Sequence, residues 1–355
     1  WQYEDYPLYK VDVQAQGNFE SMQLEHARLQ GAAGEIAAQG ELAWAPELVW
    51  DIQASADQLK PGMISADAEG ELDVVLWTQG SLAGEGQFKL QLDQLEGTLR
   101  DYPIDVTLFT ELNGNDVMLH MLNAEVGENK LRARSQSENE VDLRWEIDAP
   151  NLNQFHPEAK GELRGDGRLL GAINNAQFDL VINQLTGQVL DYPIKARGKV
   201  ALKDDVISAD GLDVTVADNR LTLDGVADEE QGIDWTLAAA DLGRLKLHPE
   251  LVGELNGEGN IKGLLDGSRV ALRVDQLNGK LKDYALSASG AVRMDNDLLS
   301  AQRLKLVVGG NTVTLDGQAD EDKGIDWRIS APELGKLHPD FPGKLRGHGN
   351  AKGVL

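Results

Sequence analysis

Val141-Asp142-Leu143-Arg144-Trp145-Glu146-Ile147-Asp148-Ala149 alternates without a break: every odd position is apolar and every even position is charged. Side chains of a strand point to opposite faces with a period of two, so this stretch reads as a strand with one dry and one wet face. Ile233-Asp234-Trp235-Thr236-Leu237 and Ile325-Asp326-Trp327-Arg328-Ile329 repeat it. Phe88-Lys89-Leu90-Gln91-Leu92, Phe178-Asp179-Leu180-Val181-Ile182 and Val270-Ala271-Leu272-Arg273-Val274 form a second such set. Further strands are expected over about 104–110, 115–122, 130–136, 195–202, 206–216, 219–226, 286–293, 298–308 and 311–318.

Outward from these strands, the chain repeats itself. Trp50, Trp145, Trp235 and Trp327 lie 95, 90 and 92 residues apart. Asp101-Tyr102-Pro103-Ile104 returns as Asp191-Tyr192-Pro193-Ile194, as Asp283-Tyr284-Ala285-Leu286, and earlier as Asp5-Tyr6-Pro7-Leu8, at tyrosine intervals of 96, 90 and 92. Phe155-His156-Pro157-Glu158, Leu247-His248-Pro249-Glu250 and Leu337-His338-Pro339-Asp340 form a third marker, with Leu59-Lys60-Pro61-Gly62 as its first, altered copy. Each of the three is followed by a glycine-rich segment: Gly161–Gly167, Gly253–Gly259 and Gly343–Gly349. Three markers with one period divide the chain at 1–100 (partial at its N-terminus), 101–190, 191–282 and 283–355 (truncated).

Each repeat holds about six strands, joined by short links rich in Gly, Asn and Asp. Short links suit antiparallel neighbours rather than crossover helices. Gln58-Leu59 and Glu333-Leu334-Gly335 allow single helical turns at most. The Gly-x-Gly segments read as turns or bulges, and Asn129, Asn219 and Asn311 as tight-turn residues. Proline at the markers fits the first residue of a strand or an edge. The expected fold is therefore all-β: an elongated, curled antiparallel sheet repeat with an apolar groove. A sheet of so many strands must twist, and curling it would shelter the dry faces along a continuous groove.

Composition narrows the functions. Lys and Arg number 33 against 59 Asp and Glu, a net charge of −26, which disfavours nucleic acid and anionic membrane surfaces as direct electrostatic partners. Cysteine is absent, so neither a disulfide nor a thiol nucleophile is available. No run of 18 apolar residues and no signal-peptide pattern is present. The chain opens at Trp1-Gln2-Tyr3 and closes at Gly353-Val354-Leu355, and both ends read as cuts through a longer protein.

Catalytic patterns are missing. His156, His248 and His338 recur, but one repeat of about six strands advances a sheet by about 30 Å, too far for a shared metal. A turn-capping role suits them better. Asp142, Glu146 and Asp148 share the wet face of one strand and read as solubilising charge, while Asp166 and Glu258 align with His348, so no carboxylate is kept at that position. Phosphate-loop, nucleophile-elbow, His-Glu-x-x-His and calcium-nonapeptide motifs are absent. No catalytic residue, metal ligand or cofactor is expected, and the chain reads as a non-enzyme.

The candidate functional set is the dry face: Trp50, Ile52, Val141, Leu143, Trp145, Ile147, Phe178, Leu180, Ile182, Ile233, Trp235, Leu237, Val270, Leu272, Val274, Ile325, Trp327 and Ile329. These residues read either as ordinary core or as the lining of a surface for acyl chains, where each buried CH₂ contributes about 0.8 kcal/mol. Small residues beside them, as in Ala32-Ala33-Gly34 and Ala238-Ala239-Ala240, suit both.

Tyr192-Pro193-Ile194, Asn219-Arg220-Leu221-Thr222-Leu223-Asp224-Gly225 and Leu255-Asn256-Gly257-Glu258-Gly259 carry a resemblance over nearly the whole chain. The sequence resembles the TamB family, translocation and assembly module subunits within the AsmA-like group of envelope proteins. The resemblance implies a periplasmic location in a Gram-negative bacterium, with the parent protein anchored in the inner membrane by an N-terminal helix. It implies a taco-shaped sheet with an apolar interior and passive transport of phospholipid towards the outer membrane. It also implies a part in outer-membrane biogenesis and protein secretion. The implied partners are phospholipids and the outer-membrane barrel protein TamA, the latter through parts of the parent outside this sequence. The alternative function is a scaffold or chaperone that aids assembly of outer-membrane β-barrel proteins by sheet-edge pairing. A solenoid adhesin or polysaccharide-active enzyme fits less well, because solenoid rungs are shorter.

Overall fold

A computed structural model describes residues 10–63, 68–114, 116–137, 141–172, 177–245, 252–263, 269–282, 284–296, 298–320, 322–336, 340 and 342–353. The markers at Asp5–Leu8, Asp283, His248 and His338 lie outside the described residues. The chain forms two compact units, Trp1–Asn175 and Ala176–Leu355.

The first unit contains β1 (Lys10–Gly17), β2 (Ser21–Gly31), β3 (Gly34–Ala43), β4 (Val49–Leu59), β5 (Gly70–Ser81), β6 (Gln87–Leu99), β7 (Tyr102–Asn113), β8 (Asp116–Val126), β9 (Asn129–Ser135), β10 (Asp142–Ala149) and β11 (Gly161–Ala172). Each pairs antiparallel with its neighbour in sequence. The second unit runs in the same way. Its strands are β12 (Gln177–Val189), β13 (Tyr192–Lys203), β14 (Val206–Val216), β15 (Asn219–Val226), β16 (Gly232–Ala239), β17 (Gly253–Gly263), β18 (Arg269–Leu281), β19 (Tyr284–Asp295), β20 (Leu298–Val308), β21 (Asn311–Gln318), β22 (Gly324–Ala331) and β23 (Leu345–Ala351). Among the described residues, helix is confined to short 3₁₀ turns such as Pro61–Met63, Leu152–Gln154, Leu242–Leu245 and Leu334–Lys336; Gln58-Leu59 ends β4 instead.

Local chemistry sets the hairpins. Arg100 and Asp101 (φ 50° and 65°), Asp204 and Asp205 (51° and 62°), and Ala217 and Asp218 (49° and 70°) place two consecutive residues in the left-handed region. Paired positive φ values are what two-residue turns between right-twisted strands require. The aspartate of the Asp-Tyr-Pro marker therefore completes a turn, and Tyr102 and Tyr192 open β7 and β13. The β-bulges repeat too: the register shifts at Ile182/Leu185, Arg197/Lys199 and Ala209/Leu212 return at Val274/Leu277, Ser289/Ala291 and Ala301/Leu304.

Two expectations need correction. The sheet is not the curled, taco-like structure with an enclosed groove. Among the described residues, extensive contacts join only strands adjacent in sequence, and no first-to-last pairing closes either unit. Ile233 and Ile325 are buried on the dry face, but other large side chains there stay exposed, with Leu272 at 39% and Leu306 at 40%. A face folded onto another layer would be buried across the roughly 10 Å gap between stacked sheets. The indoles of Trp50, Trp235 and Trp327 instead rest against glycines of the next strand. Of the two readings of the Gly-x-Gly segments, the turn fails: Gly165 and Gly167 lie inside β11, Gly257 and Gly259 inside β17, and Gly347 and Gly349 inside β23, while the register shift at Glu258/Gly259 is the expected bulge.

The loops after β15 and β21 share one device. Asp228 accepts hydrogen bonds from the backbone N–H of Glu230 (3.0 Å) and Gln231 (2.6 Å). Asp320 accepts from Asp322 (3.1 Å), Lys323 (2.5 Å) and Gly324 (3.4 Å). These donors, Gln231 and Lys323 foremost, hold both carboxyls below the ordinary value of 3.8. A lowered folded pKa gives stabilisation that is complete above the unfolded value and is lost as pH falls through the folded one. Amide shifts of Gln231 and Lys323 followed from pH 6 downwards should change with midpoints below 3.8. A midpoint at or above that value would show that the caps do not hold the charged form.

Candidate functional site

Residues directly opposite in an antiparallel pair place their side chains on the same face. The pairings can therefore be followed across the strands. In the second unit one line reads Leu180, Val200, Ala209, Gly225, Ile233, Ile261, Leu272, Val292, Ala301, Gly317, Ile325, Ala351. A parallel line reads Leu185, Ala196, Val214, Leu221, Leu237, Gly257, Leu277, Ala288, Leu306, Val313, Ile329, Gly347. Each crosses every strand from β12 to β23 without a polar side chain. At about 4.8 Å per strand, such a row is about 50 Å long. The first unit has its own row from β1 to β11: Val13, Ala27, Ala38, Ala54, Leu76, Leu92, Leu108, Leu122, Ala133, Trp145, Gly167.

The residues selected from the sequence fall on these faces. Trp50 and Ile52 on β4, and Leu143, Trp145 and Ile147 on β10, share the face of the first unit's row. Val141 precedes β10 and its carbonyl accepts from the Gly171 N–H at 2.8 Å. Phe178, Leu180 and Ile182, then Ile233, Trp235 and Leu237, then Val270, Leu272 and Val274, and finally Ile325, Trp327 and Ile329 share the apolar face of the second unit. Sequence reasoning missed Leu221, Ile261 and Leu306, which are 37%, 37% and 40% exposed on that face. Their period-two placement was visible, but only the register shows that they continue a row.

The tryptophans recur with a glycine opposite them: Gly80 faces Trp50, Gly167 faces Trp145, Gly259 faces Trp235 and Gly349 faces Trp327. A Cβ at Gly80 would stand 2.2 Å from Cζ2 of Trp50; at Gly259, 2.8 Å from Cζ2 of Trp235; at Gly349, 2.9 Å from Cζ2 of Trp327. The indole thus lies flat on the neighbouring backbone, which requires glycine there. Trp50 Nε1 donates to Thr78 Oγ1 at 3.1 Å, whereas no acceptor among the described residues reaches the buried Nε1 of Trp145 or Trp235. The latter rings serve as apolar bulk.

The opposite face is polar and ion-paired. Arg168 pairs with Asp142 (2.5 Å), Arg164 with Asp148 (2.8 Å) and Arg220 with Asp213 (2.8 Å). The Arg220 hydrogen bond holds the Asp213 carboxyl below its ordinary range. His156 Nδ1 accepts from the Glu158 N–H at 3.3 Å, a local turn contact. His120 stacks on Phe109 and lies 3.5 Å from Glu111. Among the described residues, no group of three or more His, Asp and Glu side chains is placed to hold a metal ion. No helix among them is long and apolar enough to cross a membrane.

These features define a class: an all-β repeat scaffold whose distinguishing surface is an apolar sheet face rather than a reactive constellation. The family profile described as TamB, N-terminal domain, matches residues 1–184, 175–276 and 245–355, and the chain belongs to the TamB family. Proteins of this family are structural and transport scaffolds, not enzymes. The chain is 25% identical over 304 residues to the translocation and assembly module subunit TamB of Haemophilus influenzae, a match covering 76% of this chain and 22% of that relative. It thus spans about a fifth of the relative's length. No solved structure matches it.

Proposed function

We propose that the apolar face of each unit carries phospholipid acyl chains across the periplasm, as part of an inner-membrane-anchored protein that supports outer-membrane biogenesis. The observation behind this reading is the uninterrupted apolar row through the strands of each unit, in which large side chains such as Leu221, Ile261, Leu272 and Leu306 stay exposed on an open sheet. Exposed apolar surface of such extent marks an interaction surface rather than a core. About ten methylenes half-covered by this face would gain about 4 kcal/mol, at about 0.8 kcal/mol for each one fully buried. That is weak enough for a chain to shift along a uniform row and strong enough to keep it out of water. The surface supplies no energy source, so transfer would follow the lipid gradient. The barrel protein TamA would be engaged through other parts of a longer chain.

Site-specific photo-crosslinkers in cells test this. Positions Leu221 and Leu306 should capture phospholipid, and their polar-face neighbours Arg220 and Lys305 should capture at least tenfold less. Equal capture from both faces removes the acyl-chain reading. Capture of barrel protein along β1, a strand paired on only one side among the described residues with every side chain exposed, would favour the edge-pairing alternative.

A further inference from the structure

The polar face changes between copies where β18 meets β19. In the first copy, β6 and β7 are tied by Lys89 and Glu111, directly opposite and 3.0 Å apart. In the second copy, β12 and β13 are tied by Asp179, the counterpart of Lys89, and Lys199, which lies diagonally across from it at 2.8 Å. In the third copy Ala271 and Ala291 stand where Asp179 and Lys199 stand, with Arg293 opposite Ala271 and Arg273 opposite Ala291. The ion pair is gone, and a cavity of about 350 Å³ opens, lined among others by Lys262, Ala271, Arg273, Ala291, Arg293 and Gln302.

Its charge is opposite to that of the chain. Three cations and one carboxylate, Glu229, line it, in a protein of net charge −26. Arg269 lines an adjoining smaller cavity that shares Lys262, Ala271 and Arg293. Arg273 and Arg293 pair along their own strands with Asp275 (3.3 Å) and Asp295 (3.0 Å), and both guanidiniums stay more than half exposed. Such exposed pairs are weak and leave the guanidinium fork open to a better acceptor. The framework does not need these arginines, since Val181 and Ala201 occupy their positions in the preceding copy.

We propose that this cavity binds a phosphate mono- or diester group, held by the forks of Arg273 and Arg293 with Lys262 beside them. The anion would supply the negative partner that Asp179 gives the second copy at the position of Ala271. Planar, multi-donor guanidinium groups match phosphate oxygens in geometry as well as charge.

The whole chain should be titrated with inorganic phosphate, following the amide resonances of Ala271 and Ala291. Saturable shifts are expected. The double variant Arg273→Gln/Arg293→Gln should weaken binding at least tenfold. Ala271→Asp should do the same by restoring the internal ion pair with the cations still present, and its thermal midpoint should equal or exceed the parent's. Absence of saturation in the parent, or parent-like binding by Ala271→Asp, overturns the site. Displacement of phosphate by phosphatidylglycerol vesicles would assign the site to a lipid headgroup; failure to displace it would assign it to a soluble phosphate compound. Inorganic phosphate has no acyl chain, so the result stands apart from that of the apolar face.

Discussion

Gly80→Ala is expected to lower the stability of the first unit by about 3 kcal/mol, within the upper part of the range for overpacked sites. Glycine inside a strand is ordinarily a liability, and replacing it with alanine gains about 0.5–1 kcal/mol where the conformation permits. The sign reverses here because the new Cβ would stand 2.2 Å from Cζ2, 2.4 Å from Cη2 and 2.7 Å from Cε2 of Trp50. The ring has little freedom to move away. Its Nε1 donates to Thr78 and its ring centroid lies 6.1 Å from that of Phe88, the rings tilted by 44°, in the row Leu42, Trp50, Gly80, Phe88, Leu112. The urea midpoint checks the prediction. Trp50→Leu in the Gly80→Ala background should recover about half of the loss, since the clash is with the ring and coupled neighbours are non-additive. A Gly80→Ala protein as stable as its parent would mean that the indole does not rest on this backbone.

The same pair shows where the sequence was legible and where it was not. Alternation around Trp145 gave the strand and its dry face, and the spacing of the tryptophans gave the repeat. Turn chemistry was legible to within a residue or two: Asn219 was read as the turn, whereas Ala217 and Asp218 make it and Asn219 opens β15. Gly257 and Gly259 misled, since glycine is a turn signal along the chain and becomes a seat for Trp235 only across strands. The extent of curl was hidden for a related reason. Alternation states which face is dry, not how far another layer covers it, and the half-exposed Leu272 and Leu306 answer that only in three dimensions. The cavity beside Arg273 was hidden too: the repeat aligns Ala271 with Asp179, but only the register sets it opposite Arg293.

Asn129→Ala should cost the first unit about 3–4 kcal/mol. Asn129 was expected only as a turn residue, yet its side chain is fully buried and reaches 22 residues along the chain. Its Nδ2 donates to the Asn151 carbonyl at 2.7 Å and its Oδ1 accepts from the Asn151 N–H at 3.0 Å. The start of β9 is thereby fastened to Asn151, two residues past the end of β10. Asn219 holds Asp241 in the same way at 2.9 and 3.1 Å, and Asn311 holds Glu333 at 2.9 and 3.1 Å. Alanine would remove both bonds and strand two sheltered backbone groups, each at about 1–3 kcal/mol. Asn129→Asp separates the two halves of the contact. It keeps the acceptor for the N–H but sets a carboxylate oxygen against the Asn151 carbonyl. Burial and that repulsion would raise its folded pKa, so the penalty is absent below the unfolded value and complete above the folded one. Relative to the parent at each pH, the aspartate variant should lose midpoint stability progressively from pH 4 to pH 7, while the alanine variant shows a constant loss. An aspartate variant that matches the parent at pH 7 would show that the bond from Nδ2 contributes nothing, and the fastening would then rest on the Asn151 N–H alone.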